Sequence, residues 1–184
     1  MTSTTRIAGF RGEYLRELEI ATRQSIALAE AFPLDTYGWR PDPQARAVSE
    51  VFRHVAVGCF MLLDVVGIVA PGDLYGGVPE GGRERFRALV QRSDEIMASV
   101  PEKDAVLHLL RRSFQALQES IGQASDAQLD RSLHFFGEET AVRRVYLRML
   151  VHTHQHMGQM IAYLRMNGVA IPWPDWRPDR RARD

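Results

Sequence analysis

The amino-acid sequence predicts an all-α fold, a four-helix bundle followed by a Pro-rich C-terminal tail. Three observations carry that expectation. Apolar residues recur at spacings of three and four, the repeat of a helix face, and not at the spacing of two that marks a half-buried strand. The segments with this repeat are long, and Pro/Gly-rich stretches separate them. At 184 residues and 45% hydrophobic content, the chain fits a single domain of ordinary size. Residues 1–184 read as one unit, with a core over about 5–168 and a tail over 169–184.

The first helix is expected from about Thr5 to Ala31. Ile7, Phe10, Tyr14, Leu18, Ala21, Ile26, Leu28 and Ala29 supply its stripe, and it stops before Pro33. FPLDTYGWRPDPQARA then reads as a loop carrying Tyr37 and Trp39. The second helix, about Ala45 to Val69, is apolar on most sides, so it belongs at the centre. Ser49, Glu50 and Arg53 mark its wetter positions. PGDLYGGVPEGG reads as a second loop. The third helix spans about Arg83 to Ile121, and Pro101 breaks or kinks it. GQASDAQLDRSLHFFGEE is a connector without a strand pattern. The last helix runs from about Thr140 to Asn167, with Gly168 as its C-terminal stop. In the tail, Trp173 and Trp176 are expected to dock onto the body.

Lys plus Arg and Asp plus Glu both number 23, so the formal net charge is zero. A nucleic-acid binder shows a basic excess or stripe, and neither is present. The pairs Arg111-Arg112, Arg143-Arg144 and Arg180-Arg181 lie near acidic residues and read as solvated surface. Cys59 is the only cysteine. No intrachain disulfide can form, which suits a reducing cytoplasm. Within VAVGCFMLL, Cys59 reads as a buried small hydrophobe. The N-terminus turns charged too early for a signal peptide. The most apolar stretch, Val55 to Ala70, is shorter than the ~20 residues a membrane span needs, and Asp64 interrupts it. The expected setting is cytoplasmic, with neither a membrane nor a nucleic acid as partner.

Three of the six histidines, His152, His154 and His156, crowd into one turn and a half of the last helix. On a wheel at about 100° per residue, His156 falls inside the apolar arc formed by Val142, Val145, Tyr146, Met149, Leu150, Met157, Met160, Ile161 and Leu164. His152 lies about 40° away, one turn earlier, and His154 points off by roughly 160°. His152 and His156 are therefore i, i+4 neighbours, about 5–6 Å apart at Cβ, and both imidazoles can reach one cation. A third ligand must come from another helix. His54 is the candidate, because it sits among Val51, Phe52, Val55 and Cys59 on the most apolar helix, and Gly58 leaves space one turn on. Three histidines without a fourth protein ligand leave positions open for water or substrate, the pattern of a catalytic site. Water bound there is acidified and becomes a nucleophile near neutral pH.

The competing reading of each residue is plainer. His54 alone fits a hydrogen-bonded core residue, and the pair on the last helix fits chance clustering. His108 and His134 read as surface or loop residues. Glu50, four residues before His54, either orients it, supplies a fourth ligand, or is a surface carboxylate. Gln159 is a candidate supporting or substrate-contacting amide, or else an interhelical hydrogen bond. Tyr163, one turn beyond it, is a weak candidate for general base beside Glu50. Asp64 is a buried partner or a rim residue.

HTHQHMGQMIAYLRMNG followed by IPWP resembles the last-helix signature of DinB-like proteins, in which a histidine pair precedes Gly-Gln. SEVFRHVAVGCFMLL is similar to the second-helix segment bearing that family's first histidine. YGWRPDPQARAVSEV resembles the aromatic-Pro loop before it. The resemblance covers nearly the whole chain. It implies a four-helix bundle, often a homodimer, with a divalent ion such as zinc, nickel or iron on His54, His152 and His156. Relatives often carry an arginine before Gly-Gln, where this sequence has Met157. They include bacillithiol-using thiol S-transferases and mycothiol-dependent maleylpyruvate isomerases. The resemblance thus implies a low-molecular-weight thiol as a second cofactor and a small-molecule substrate. Three hypotheses follow. One is a metal-dependent transferase or hydrolase. Another is a non-catalytic metal- or ligand-binding protein of a stress response. The third is a bundle without metal.

Overall fold

A computed structural model describes residues 9–99 and 102–173. Seven α-helices occur there in chain order: α1 (Phe10–Ala31), α2 (Val48–Val65), α3 (Gly72–Tyr75), α4 (Gly82–Ala98), α5 (Lys103–Gln123), α6 (Asp126–Asp130) and α7 (Val142–Met166). The bundle is made by α1, α2, α5 and α7. Both α1 and α2 pack against both α5 and α7, so α1 and α2 face each other across the diagonal. The three-and-four spacing accounts for the buried faces. In α1 it buries Tyr14, Leu18, Ala21, Ser25 and Leu28. In α2 it buries nearly every position from Val51 to Cys59 except His54 and Gly58.

The expected third helix is two helices. α4 ends at Ala98 and α5 begins at Lys103, and only α5 enters the bundle. Residues 100 and 101, where the proline break was expected, lie outside the described residues. α4 instead packs along α2. Two polar clasps hold it there. The Arg53 guanidinium, 5% exposed, donates to the Ile96 carbonyl at 3.4 Å and to the Ser99 carbonyl, so a buried cation satisfies carbonyls at the α4 C-terminus. Arg85 Nε donates to Asp64 Oδ1 at 3.0 Å. Asp64, left open between two readings by the sequence, is thus the α2 half of an ion pair.

α2 begins at Val48 and ends at Val65, shorter at each end than expected. Its start has no Ser, Thr, Asp or Asn cap. Instead the Glu50 carboxylate accepts from the Ala47 N–H at 2.7 Å. The Val48 and Ser49 N–H groups donate to the carbonyls of Trp39 and Tyr37, each at 3.0 Å. The Pro-rich loop therefore closes the helix end. Tyr37 is buried, and its hydroxyl donates to the Ala29 carbonyl at 2.6 Å.

The connector before α7 holds two elements that the sequence did not announce as strands. Ser132–Phe135 and Glu138–Ala141 form an antiparallel hairpin, pairing Ser132 with Ala141 and Phe135 with Glu138. Its two-residue turn is Phe136-Gly137, with φ of 49° and 84°. Two consecutive positive φ values define the turn whose twist matches a hairpin, usually signalled by Asn-Gly or Asp-Gly. Phenylalanine in the first position hid that signal. α3 is likewise a single turn in a segment expected as loop. α7 stops where the sequence placed its end. Gly168 has φ 68°, and the Val169 N–H reaches back to the Leu164 carbonyl at 3.0 Å.

The arginine pairs expected at the surface meet carboxylates. Arg111 pairs with Glu30, Arg112 with Asp73, Arg143 with Asp130 and Arg144 with Glu138. Trp173 packs against the core. Trp176 and Arg180-Arg181 lie outside the described residues, as does the start of the expected first helix. Among the described residues no helix is long and apolar enough to cross a membrane.

Candidate metal centre

His54 on α2 and His152 and His156 on α7 come together in the bundle. One ring nitrogen from each lies within 4.8 Å of the other two. The ring centroids are 4.9 Å apart for His54 and His152, 4.8 Å for His54 and His156, and 4.6 Å for His152 and His156. His152 Nε2 and His54 Nε2 are 3.1 Å apart. Three nitrogens bound tetrahedrally to one ion at 2.0–2.1 Å would stand about 3.3 Å from each other, so the triangle is close to the required size. All three rings are half-buried, whereas His154, His108 and His134 are exposed. The wheel's exclusion of His154 agrees with its position: its Nδ1 faces the Leu150 carbonyl, at 2.9 Å.

Electrostatics keep the cluster neutral. Burial lowers the His54 pKa to about 4, helped by the charges of Arg46 and His156. Burial, then His156 and His54, lowers His152 to about 3. Burial and the Arg46 charge lower His156 as well, against the opposing effect of its hydrogen bond to Gln159. Neutral imidazoles have lone pairs free for a cation, which is the state a ligand needs.

His156 is oriented by a chain of hydrogen bonds. Its Nδ1 donates to Gln159 Oε1 at 2.8 Å, and Gln159 Nε2 donates to the Tyr163 hydroxyl at 2.9 Å. Tyr163 in turn donates to the Arg46 carbonyl at 3.3 Å. The direction is set at the far end, because a carbonyl can only accept. The proton therefore sits on Nδ1 of His156, and Nε2 presents its lone pair to the cluster. Trp39 closes over Tyr163, with ring centroids 5.3 Å apart in an edge-to-face contact.

His152 is placed differently. Its ring lies over Gly58, where an added Cβ would be 2.8 Å from Cε1. The sequence reading took Gly58 to leave open space beside His54, and that space is filled by His152. The His152 Nδ1 is buried with no hydrogen-bond partner. Two Nε2 atoms 3.1 Å apart, with a third imidazole beside them, form a donor set that a divalent ion fits.

The other sequence candidates are engaged elsewhere. Both Glu50 carboxylate oxygens are occupied, one by the Ala47 N–H and one by Arg40 at 3.1 Å. Gln159 and Tyr163 belong to the chain that holds His156. Sequence reasoning missed Arg46, whose carbonyl ends that chain and whose charge reaches all three rings. It carried no sequence signal, falling inside the helix expected from about Ala45.

Fold and site define a class: a helical bundle with three histidines gathered from its central and last helices. The chain belongs to the DinB superfamily, whose sequence profile matches residues 17–160. Among solved structures it is similar to a DinB-like protein from Bacillus cereus, with a TM-score of 0.67 and 14% identity over 89% of this chain and 97% of that one. It is also similar to YfiT from Bacillus subtilis, a probable metal-dependent hydrolase with an unusual four-helix bundle topology. There the TM-score is 0.60, with 14% identity over 87% and 89% of the two chains. A third relative is the mycothiol-dependent maleylpyruvate isomerase, with a TM-score of 0.60 and 13% identity over 82% of this chain and 60% of that one. At these identities the likeness speaks to the fold. No curated protein sequence matches this one.

Proposed function

We propose that the protein is a divalent-metal-dependent enzyme acting on a small molecule, with zinc, nickel or iron held by His54, His152 and His156. One observation carries the reading: three neutral imidazoles from two helices converge within 4.8 Å. Three histidine ligands with no carboxylate or thiolate joining them among the described residues leave coordination positions for a reactant, unlike a closed structural site. When bound, the ion would acidify water or a thiol so that it attacks an electrophile near neutral pH.

The chain's own residues supply orientation and exclusion of water. Gln159 and Tyr163 fix the tautomer and aim of His156. Gly58 lets the His152 ring approach α2. Phe52, Val55 and Met157 line a small cavity beside His156. The two reaction types correspond to two neighbours of the fold, a probable metal-dependent hydrolase and a mycothiol-dependent isomerase. That correspondence is analogy, since function does not follow from fold. A thiol cofactor and a homodimer belong to the same reading, and light scattering in solution tests the dimer.

The deciding experiment is elemental analysis of protein purified without a histidine tag. An equimolar divalent metal that is lost in His156→Ala supports the centre. A metal-free parent that takes up no added zinc, nickel or iron overturns it. Turnover assays on the loaded protein, with water alone and with a low-molecular-weight thiol, then separate hydrolysis from S-transfer. Metal without turnover of any substrate would instead identify a binding protein.

A further inference from the structure

We propose that a cavity at the start of α7, held open by Arg131, binds a small monocarboxylate with a compact apolar body. The site is separate from the histidine cluster and does not depend on it. Val142 and Tyr146, which line the cavity, lie ten and six residues before His152, about 15 and 9 Å away along the helix.

The ends of α2 and α5, α6 and the start of α7 surround a cavity of about 260 Å³. Arg131 is pinned there from two sides. Its guanidinium donates to the Val66 carbonyl at 3.0 Å, and its own carbonyl accepts the Val142 N–H at 3.0 Å. Val66, Arg131 and Val142 all line the cavity. One guanidinium N–H is thus spent on positioning, and the others remain to donate. Arg131 makes no ion pair among the described residues. Asp130 beside it is paired with Arg143.

The other polar groups of the lining are also rich in donors. Gln128 Oε1 accepts the Ser125 N–H at 2.8 Å and the Ser125 hydroxyl at 3.0 Å, which leaves the amide NH2 of Gln128 to donate. The hydroxyls of Ser120 and the buried Tyr146 share one hydrogen bond, at 2.5 Å. One O–H of that pair therefore has its proton to spare. Gln123 adds an amide that can serve in either sense. Among the described residues no carboxylate lines the cavity. A cation and several spare donors without an acid call for an anionic acceptor, and a guanidinium fork suits a carboxylate.

The remaining wall says what the anion carries. Val66, Ile68, Ala124 and Val142 are apolar. An inorganic anion leaves that surface wet, whereas the hydrocarbon part of an organic acid covers it. The volume lies just under the roughly 300–1,000 Å³ of sites for drug-sized ligands, so the guest is a smaller molecule.

The test is calorimetric titration of benzoate into the full-length protein, with benzyl alcohol and inorganic phosphate as controls. Amide shifts in nuclear magnetic resonance locate the site. Benzoate is expected to bind at least tenfold more tightly than either control and to shift Ser120, Gln123, Gln128 and Val142. Its affinity should fall at least tenfold in Arg131→Ala, as loss of a charge-assisted hydrogen bond implies, and partly recover in Arg131→Lys. Ile68→Trp, at an exposed position on the rim, should block the cavity without touching Arg131 and abolish binding with the melting temperature unchanged. Several outcomes would overturn the site: no binding at millimolar benzoate, equal binding of benzyl alcohol or phosphate, or full affinity in both Arg131→Ala and Ile68→Trp. Shifts confined to His54, His152 and His156 would overturn it too, and would assign the acid to the metal centre instead.

Discussion

Gly58 makes room for His152. A Cβ at residue 58 would stand 2.8 Å from the His152 Cε1 and 3.3 Å from its Nδ1, so any side chain there displaces the ring. Glycine inside a helix costs about 1 kcal/mol relative to alanine. On α2 that cost is exchanged for the close approach of the His152 ring from α7. Gly58→Ala should therefore lower zinc affinity at least tenfold while α2 itself gains helix propensity. Competition against a chromophoric chelator would measure this. Unchanged affinity would show that the ring can shift without leaving the cluster.

Among the described residues, Gln159 is the only side chain that holds a histidine of the cluster by its second nitrogen. Partners of this kind typically contribute 10–100-fold in metal affinity. Gln159→Leu should lose affinity in that range, and Tyr163→Phe less, because the amide stays in place. A Gln159→Glu variant keeps an acceptor for the His156 N–H and should retain most of the affinity. If leucine and glutamate behave alike, orientation of His156 by residue 159 is not what secures the ion.

Arg53 fastens α4 to α2. Replacing it with alanine strips the carbonyls of Ile96 and Ser99 of a buried donor, a loss of roughly 1–3 kcal/mol. Urea denaturation of Arg53→Ala should show that decrease. Hydrogen exchange should localise the loosening to residues 82–98, with the core of α7 still protected. A decrease spread evenly over the bundle would argue against a clasp.

Cys59 should be inert in the native state. Burial pushes its thiol up to about 12, so at pH 8 it stays protonated and out of reach of reagents. A thiol whose folded pKa is raised contributes stability below its unfolded value near 9, and that contribution is lost as pH climbs toward 12. Labelling with a disulfide reagent should thus be negligible at pH 8 and stoichiometric in denaturant. Rapid native labelling would mean that α2 opens locally. It would also return Cys59 to the list of reactive groups.

How much of this was written in the sequence varies from residue to residue. The period of the apolar residues determined the helices. The i, i+4 spacing alone put His152 and His156 on one face and turned His154 away, because helix geometry is local and fixes side-chain direction over a turn. His54 was legible as a polar residue in an apolar helix. The resemblance of its surroundings to those of DinB-like proteins strengthened it.

Tertiary structure decided the rest. Whether α2 and α7 would bring their histidines to the same level depends on how whole helices pack, which no local pattern states. The same is true of α4, which lies along α2 outside the bundle, ahead of a break that the sequence marked only as a proline. Glu50 looked like a possible ligand until the loop from Phe32 to Ala47 folded back and gave it a backbone N–H and an arginine. Arg46 carried no signal at all, because its importance comes from the Tyr163 hydroxyl that reaches it from α7. Local periodicity sets which side chains share a face, and only packing between distant segments sets what that face meets.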